Sequence, residues 1–181
     1  MADNKKKRPF RKEYYNYFQR DLNGNYIYMG PHMVYSGKEG EWSKSIILLW
    51  VCVLVPFAAL IVQGLIPAAV LGNPWLTIPY LLEFIALFVM GWKLVRFTYA
   101  RKKIRKYIYE QTWEILPGFA IAAIITAAIA LAGALVSIIG RTAPESTALR
   151  IVLIAQPVIF ALFNLIFIKI IRKMKFEEEP A

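Results

Sequence analysis

Hydrophobic residues in this chain fall into four long runs, at about 45–66, 75–97, 115–140 and 149–171, separated by short polar or turn-forming stretches. Each run is close to the ~20 apolar residues that a helix needs to cross a hydrocarbon core ~30 Å thick. No soluble domain requires four of them. The pattern predicts an all-α membrane protein with four transmembrane helices and a short, partly structured N-terminal segment. Residues 1–44 form that basic, tyrosine-rich segment, 45–171 the transmembrane domain with a loop at 98–114, and 172–181 a charged, solvated tail.

Composition supports the class. Hydrophobic residues make up 58% of the 181 and charged residues 19%, against roughly 45–50% and about 25% in soluble domains. A four-helix bundle uses most of this length and leaves no room for a separate large enzyme domain. No small-residue cleavage motif precedes Ser45, so a cleaved signal peptide is not expected.

A net charge of +10 would suggest nucleic acid in a soluble protein, but here placement matters more than the sum. Twenty of the 22 Lys and Arg residues lie in 1–44, 93–106 and 169–175; only Arg141 and Arg150 lie elsewhere. By the positive-inside rule both termini and the middle loop are cytoplasmic, while 64–74 and 141–148 face outward. An even number of spans requires the same arrangement of the termini.

The N-terminal segment begins with Lys5, Lys6, Lys7, Arg8, Arg11 and Lys12 among Phe10, Tyr14, Tyr15, Tyr17 and Phe18. This reads as a basic arm for anionic lipid headgroups, each cation near such a surface contributing about 1 kcal/mol. Without an RNA-binding motif, nucleic acid is not an expected partner. Further on, Asn23-Gly24 is a hairpin-type turn signal, Tyr26-Ile27-Tyr28 has strand propensity and Gly30-Pro31 breaks the chain, predicting a small β-hairpin or a structured loop. Two strands alone are marginal in water, so this piece needs a surface to pack on and is the candidate docking element. His32 has no companion ligands in sequence and reads as an ordinary surface residue.

Past the second run, Phe97, Ala100, Ile104, Tyr107 and Ile108 recur at helical spacing, which predicts a juxtamembrane helix continuing into the cytoplasm. Its other face, Arg101, Lys102, Lys103, Arg105 and Lys106, is the candidate contact for lipid headgroups or an acidic partner. The third run is built from small residues. Ala122, Thr126, Ala130, Gly133 and Ser137 follow one helical face, with Ala123, Ala127 and Ala134 beside it. Small-xxx-small patterns let backbones approach closely in lipid, so this is the expected helix-packing face, within the bundle or between copies.

Glu83 is the acidic residue inside a span, where an ionised group costs at least ~2.5–3.5 kcal/mol on insertion scales. It must be neutral, paired or next to water. Gln63, Gln156 and Asn164 are its candidate partners, and Pro56, Pro79 and Pro157 free backbone carbonyls nearby. These parts could form a proton or cation site, or equally an interhelical hydrogen bond. The lone cysteine, Cys52, lies in the first span and reads as packing. With no nucleophile, metal or phosphate-binding constellation, neither catalysis nor a cofactor is expected.

These readings lead to an accessory or assembly subunit of a larger membrane complex, its partners being the bilayer and either another membrane protein or further copies of itself. The alternative is a small oligomeric transporter or channel using intramembrane Glu83.

Overall fold

The computed structural model describes residues 17–22, 24–38, 40–65, 73–100, 102–140 and 146–180. The basic arm before Tyr17, Asn23, Arg101 and the two connections at 66–72 and 141–145 lie outside the described residues. In chain order the elements are β1 (Phe18–Arg20), β2 (Tyr26–Tyr28), β3 (His32–Tyr35), α1 (Glu41–Gly64), α2 (Pro74–Tyr99), β4 (Lys103–Arg105), α3 (Lys106–Thr112), α4 (Leu116–Ile139), α5 (Thr147–Lys173) and β5 (Phe176–Glu179).

Four helices are long and apolar enough to span a membrane: α1, α2, α4 (which follows α3 after a turn at 113–115) and α5. At 1.5 Å per residue each is roughly 36–40 Å long, more than a ~30 Å core. They start and stop within four residues of the predicted spans. In cross-section they form a ring in which α1 touches α2, α2 touches α4, α4 touches α5 and α5 returns to α1. The buried residues face inward from every helix, among them Leu49 and Leu60 of α1, Leu87 and Met90 of α2, Ala120 and Ala123 of α4, and Phe160 and Phe167 of α5. Large apolar side chains such as Ile47, Phe88, Ile125 and Leu162 cover the outside, a surface compatible with lipid.

Local chemistry fixes the start of α2. The Asn73 side-chain oxygen accepts from the Trp75 N–H at 3.0 Å, Pro74 occupies the first helical turn, where its missing N–H costs nothing, and the Asn73 amide donates to Ser137 Oγ of α4 at 2.8 Å. One residue therefore caps α2 and ties it to α4. Pro79 has no N–H to close onto the Trp75 carbonyl, four residues back. Gly133 of α4 lies against that same carbonyl: a Cβ at Gly133 would sit 2.5 Å from it. The missing side chain is what lets α4 approach the loosened first turn of α2.

At the end of the bundle that carries both described termini, two small sheets form a cap. The β1–β2 hairpin pairs Phe18 with Tyr28, Gln19 with Ile27 and Arg20 with Tyr26. Gly24 takes φ +82° in its turn, a left-handed conformation suited to glycine. This hairpin is the one the Asn23-Gly24 signal predicts. The second sheet has β3 in the centre, flanked antiparallel by β4 and β5.

That second sheet corrects three expectations. The chain is helical in the bundle but not all-α. Helix α2 does not run on as a juxtamembrane helix: it ends at Tyr99, and 103–105 is a strand. Lys103-Ile104-Arg105 also satisfies the period-2 pattern of a strand, and pairing with β3 buries Ile104 completely opposite Met33. The tail is not a free, solvated end either. Phe176–Glu179 forms β5, and the tail carboxylates Glu178 and Glu179 meet lysines from α3 and β4.

Candidate functional site

Of the four polar side chains predicted within the bundle, the structure brings two together. Gln156 of α5 donates from Nε2 to Glu83 Oε2 of α2 at 2.8 Å. Because α2 and α5 stand across the ring from one another, this bond crosses the middle of the bundle. Glu83 is 0% exposed and Gln156 3%. Glu83 Oε1 has no hydrogen-bond partner, and no salt bridge reaches this carboxyl among the described residues. The other two are elsewhere. Asn164, two turns along α5, donates from Nδ2 to the Phe160 carbonyl of its own helix at 2.9 Å, leaving its Oδ1 unpartnered. Gln63 is buried near the far end of α1 with its Oε1 unpartnered. The arrangement is one cross-bundle hydrogen bond with two separate amides, and it draws no chain of hydrogen bonds through the bundle among the described residues.

Of the small-residue face on α4, Gly133 and Ser137 are buried, Thr126 and Ala130 are half-buried and Ala122 is exposed. The interior side runs through Leu116, Ala120, Ala123, Ala127 and Ala134. Thr126 Oγ1 is occupied by the Ala123 carbonyl at 2.8 Å. The small residues thus spread around more than one face, and the buried stripe lies one position on from Ala122 and Thr126.

The predicted basic cluster is distributed around the cap. Lys103 pairs with Glu179 at 2.7 Å, Lys106 with Glu178 at 2.9 Å, and the Arg105 guanidinium lies 5.4 Å from the Tyr28 ring centre. Lys102 is exposed and uses its carbonyl to accept from the Tyr35 N–H; Arg101 is outside the described residues. Residues directly opposite across a sheet share a face, so Arg105, His32 and Glu179 form one cross-strand row, cation to anion. Partial burial and then the nearby Lys103 and Arg105 push the His32 pKa down, against an opposing pull from Glu179. Lys103 holds Glu179 below the usual carboxylate range. Tyr28 is raised by burial, its hydroxyl donating to the Pro31 carbonyl at 2.8 Å.

Sequence reasoning does not find Phe176, the residue that joins cap to bundle. Its ring meets Tyr35 of β3 (5.7 Å between centroids), Trp42 of α1 (6.1 Å), Phe97 of α2 (5.9 Å), Tyr109 of α3 (5.2 Å) and Trp113 (5.3 Å), while Phe97 and Trp113 stack at 4.2 Å. The available signal is a lone aromatic within a block of charge. The hairpin leaves a different apolar set exposed, Leu22, Tyr26, Ile27 and Met29, with Tyr26 at 71% and on the strand face opposite to Ile27.

No family model, curated protein or solved structure matches this chain. Among the described residues, no group of three His, Cys, Asp or Glu side chains gathers to hold a metal ion.

Proposed function

We propose that this chain is a non-catalytic accessory or assembly subunit of a larger membrane complex, with the cap on the cytoplasmic side as its docking surface. The observation that carries this reading is the hairpin. Its inner side chains, Phe18 and Tyr28, pack on Tyr107 of α3, at 5.8 and 5.5 Å between ring centres. Leu22 in the turn, Ile27 and Met29, and Tyr26 at the turn end of the Phe18–Tyr28 face remain exposed beyond the apolar part of the helices. Large apolar side chains left exposed on a small extramembrane element are what an interaction surface offers a partner. Tyr28 holds the hairpin against the three-stranded sheet, its ring meeting His32 at 5.4 Å and lying 5.4 Å from the Arg105 guanidinium.

The test is mild-detergent purification of the tagged full-length chain at native expression, with mass measurement of the intact assembly, for the native chain and for Y26S/I27S. Both changes are on exposed side chains, so the hairpin should persist. A stoichiometric membrane-protein partner that is lost in the variant supports docking through the hairpin. A partner retained by the variant refutes it.

The second reading, a small oligomeric transporter or channel, draws on the unpartnered Glu83 Oε1. The closed bond from Gln156 and the complete burial of Glu83 favour a structural role. Flux through vesicles containing the native chain but not Glu83→Gln would reverse that preference.

A further inference from the structure

We propose that the end of α2 holds one anionic phospholipid, its phosphate in a basic pocket and an acyl chain in the groove between α1 and α2. This goes beyond the docking reading and does not depend on it. The pocket, about 500 Å³, lies between the last turns of α2 and the β4–α3 segment; Arg96, Lys103 and Arg105 line it with Val95, Tyr99 and Ile108. No carboxylate lines it. Lys103 is bridged to Glu179, but Arg96 and Arg105 make no salt bridge among the described residues; Arg105 lies over the Tyr28 ring, a contact that leaves its charge without a counter-ion. Guanidinium suits phosphate because its planar donors can pair with two oxygens at once.

What makes the occupant a lipid is the continuation of the pocket. Val95 also lines a second cavity of about 260 Å³, walled by Trp50 and Phe57 of α1 and Phe88, Gly91 and Trp92 of α2. That groove is apolar. Trp50 Nε1 donates to Thr98 Oγ1 at 3.3 Å, fastening α1 to α2 beside it. From Val95 to Phe88 the groove follows α2 for about 10 Å away from the cap. Cations at the end of a spanning helix, directly above an apolar channel running into the bilayer, have the polarity of an anionic lipid. A free phosphate would use only the upper half.

Trp50 and Trp92 report on the groove. The experiment uses the full chain in a Trp75→Phe background, in phosphatidylcholine nanodiscs, titrated with brominated-chain phosphatidylglycerol or brominated-chain phosphatidylcholine. Phosphatidylglycerol should quench tryptophan with about fivefold preference, and R96Q/R105Q should bring the two lipids level. K169Q/K175Q, equal in charge and outside the pocket, should keep the preference. In Gly91→Leu the first added carbon fits, since a Cβ there meets Val53 only at ordinary contact distance, 3.7 Å. The rest of the leucine should fill the groove and reduce quenching by phosphatidylglycerol. Equal quenching by both lipids in the native chain would overturn the proposal. So would equal loss in K169Q/K175Q, which would make net charge the cause, unaltered quenching in Gly91→Leu, or displacement of the lipid by inorganic phosphate, which would make this a free-anion site.

Discussion

Gln156 reaches across the helix ring to donate to Glu83 at 2.8 Å, where both are shielded from solvent and one carboxyl oxygen is left over. Removing one partner strands the other, whereas removing both leaves an apolar interior. Gln156→Leu should therefore destabilise the bundle more than E83L/Q156L does. The coupling from the double-mutant cycle should be about 0.6 kcal/mol and no more than about 1.7, the average and upper value for hydrogen bonds between membrane helices. Unfolding in mixed micelles measures it, and a double mutant less stable than Gln156→Leu would show that the bond does more than satisfy itself.

Gly133 and Gly118 sit on the same helix in opposite circumstances. A Cβ at Gly133 would meet the Trp75 carbonyl at 2.5 Å, while one at Gly118 would meet nothing within 4 Å. Gly133→Ala should cost about 1–3 kcal/mol, because backbone cannot move aside as a side chain can. Gly118→Ala should be neutral or stabilising by up to about 1 kcal/mol through helix propensity. Thermal denaturation of the two variants in one detergent decides the matter, and equal midpoints would refute the close approach of α4 to α2.

The contrast between those glycines shows what the sequence makes legible. Apolar runs announce the four helices because lipid imposes that length on any spanning helix, and Asn23-Gly24 announces the hairpin because few residues accept its backbone. Glu83 and Gln156 stand out as polar residues where polarity is costly. Their pairing is not legible, since it depends on which helices lie diagonal in the ring. The β3-centred sheet is hidden for a different reason. Its strands, three or four residues each, come from positions near 33, 104 and 178, and Ile104 fits the helical period as well as the strand period. Only the partner strand decides between them. Phe176 is hidden likewise, its role coming from five neighbours supplied by distant segments.

Phe176→Ala should separate cap from bundle. A buried phenylalanine costs about 3–5 kcal/mol on truncation, and this half-buried one should cost no more than the lower end. The loss should be local. Hydrogen exchange should quicken in β3, β4 and β5 while the interior of α4 and α5 stays protected. Uniform acceleration through the helices would show that the cap and bundle unfold as one unit.

His32 should make the cap weaken as pH falls. Partial burial, with Lys103 and Arg105 of β4 nearby, lowers its pKa from 6.5, and Glu179 of β5 only partly offsets them. A histidine whose folded pKa is depressed binds protons more readily when unfolded, so stability rises with pH between the folded value and 6.5 and is fully present above it. Lowering the pH from above 6.5 through that window should therefore quicken opening of the β3 sheet. Glu179 is held below 4.5 by Lys103, so the stability it contributes is present above 4.5 and fades only at lower pH. Exchange rates of β3 amides, corrected for intrinsic pH dependence, give the reading. His32→Asn should flatten the dependence below pH 6.5, while a slope that persists in that variant would assign the titration to another group.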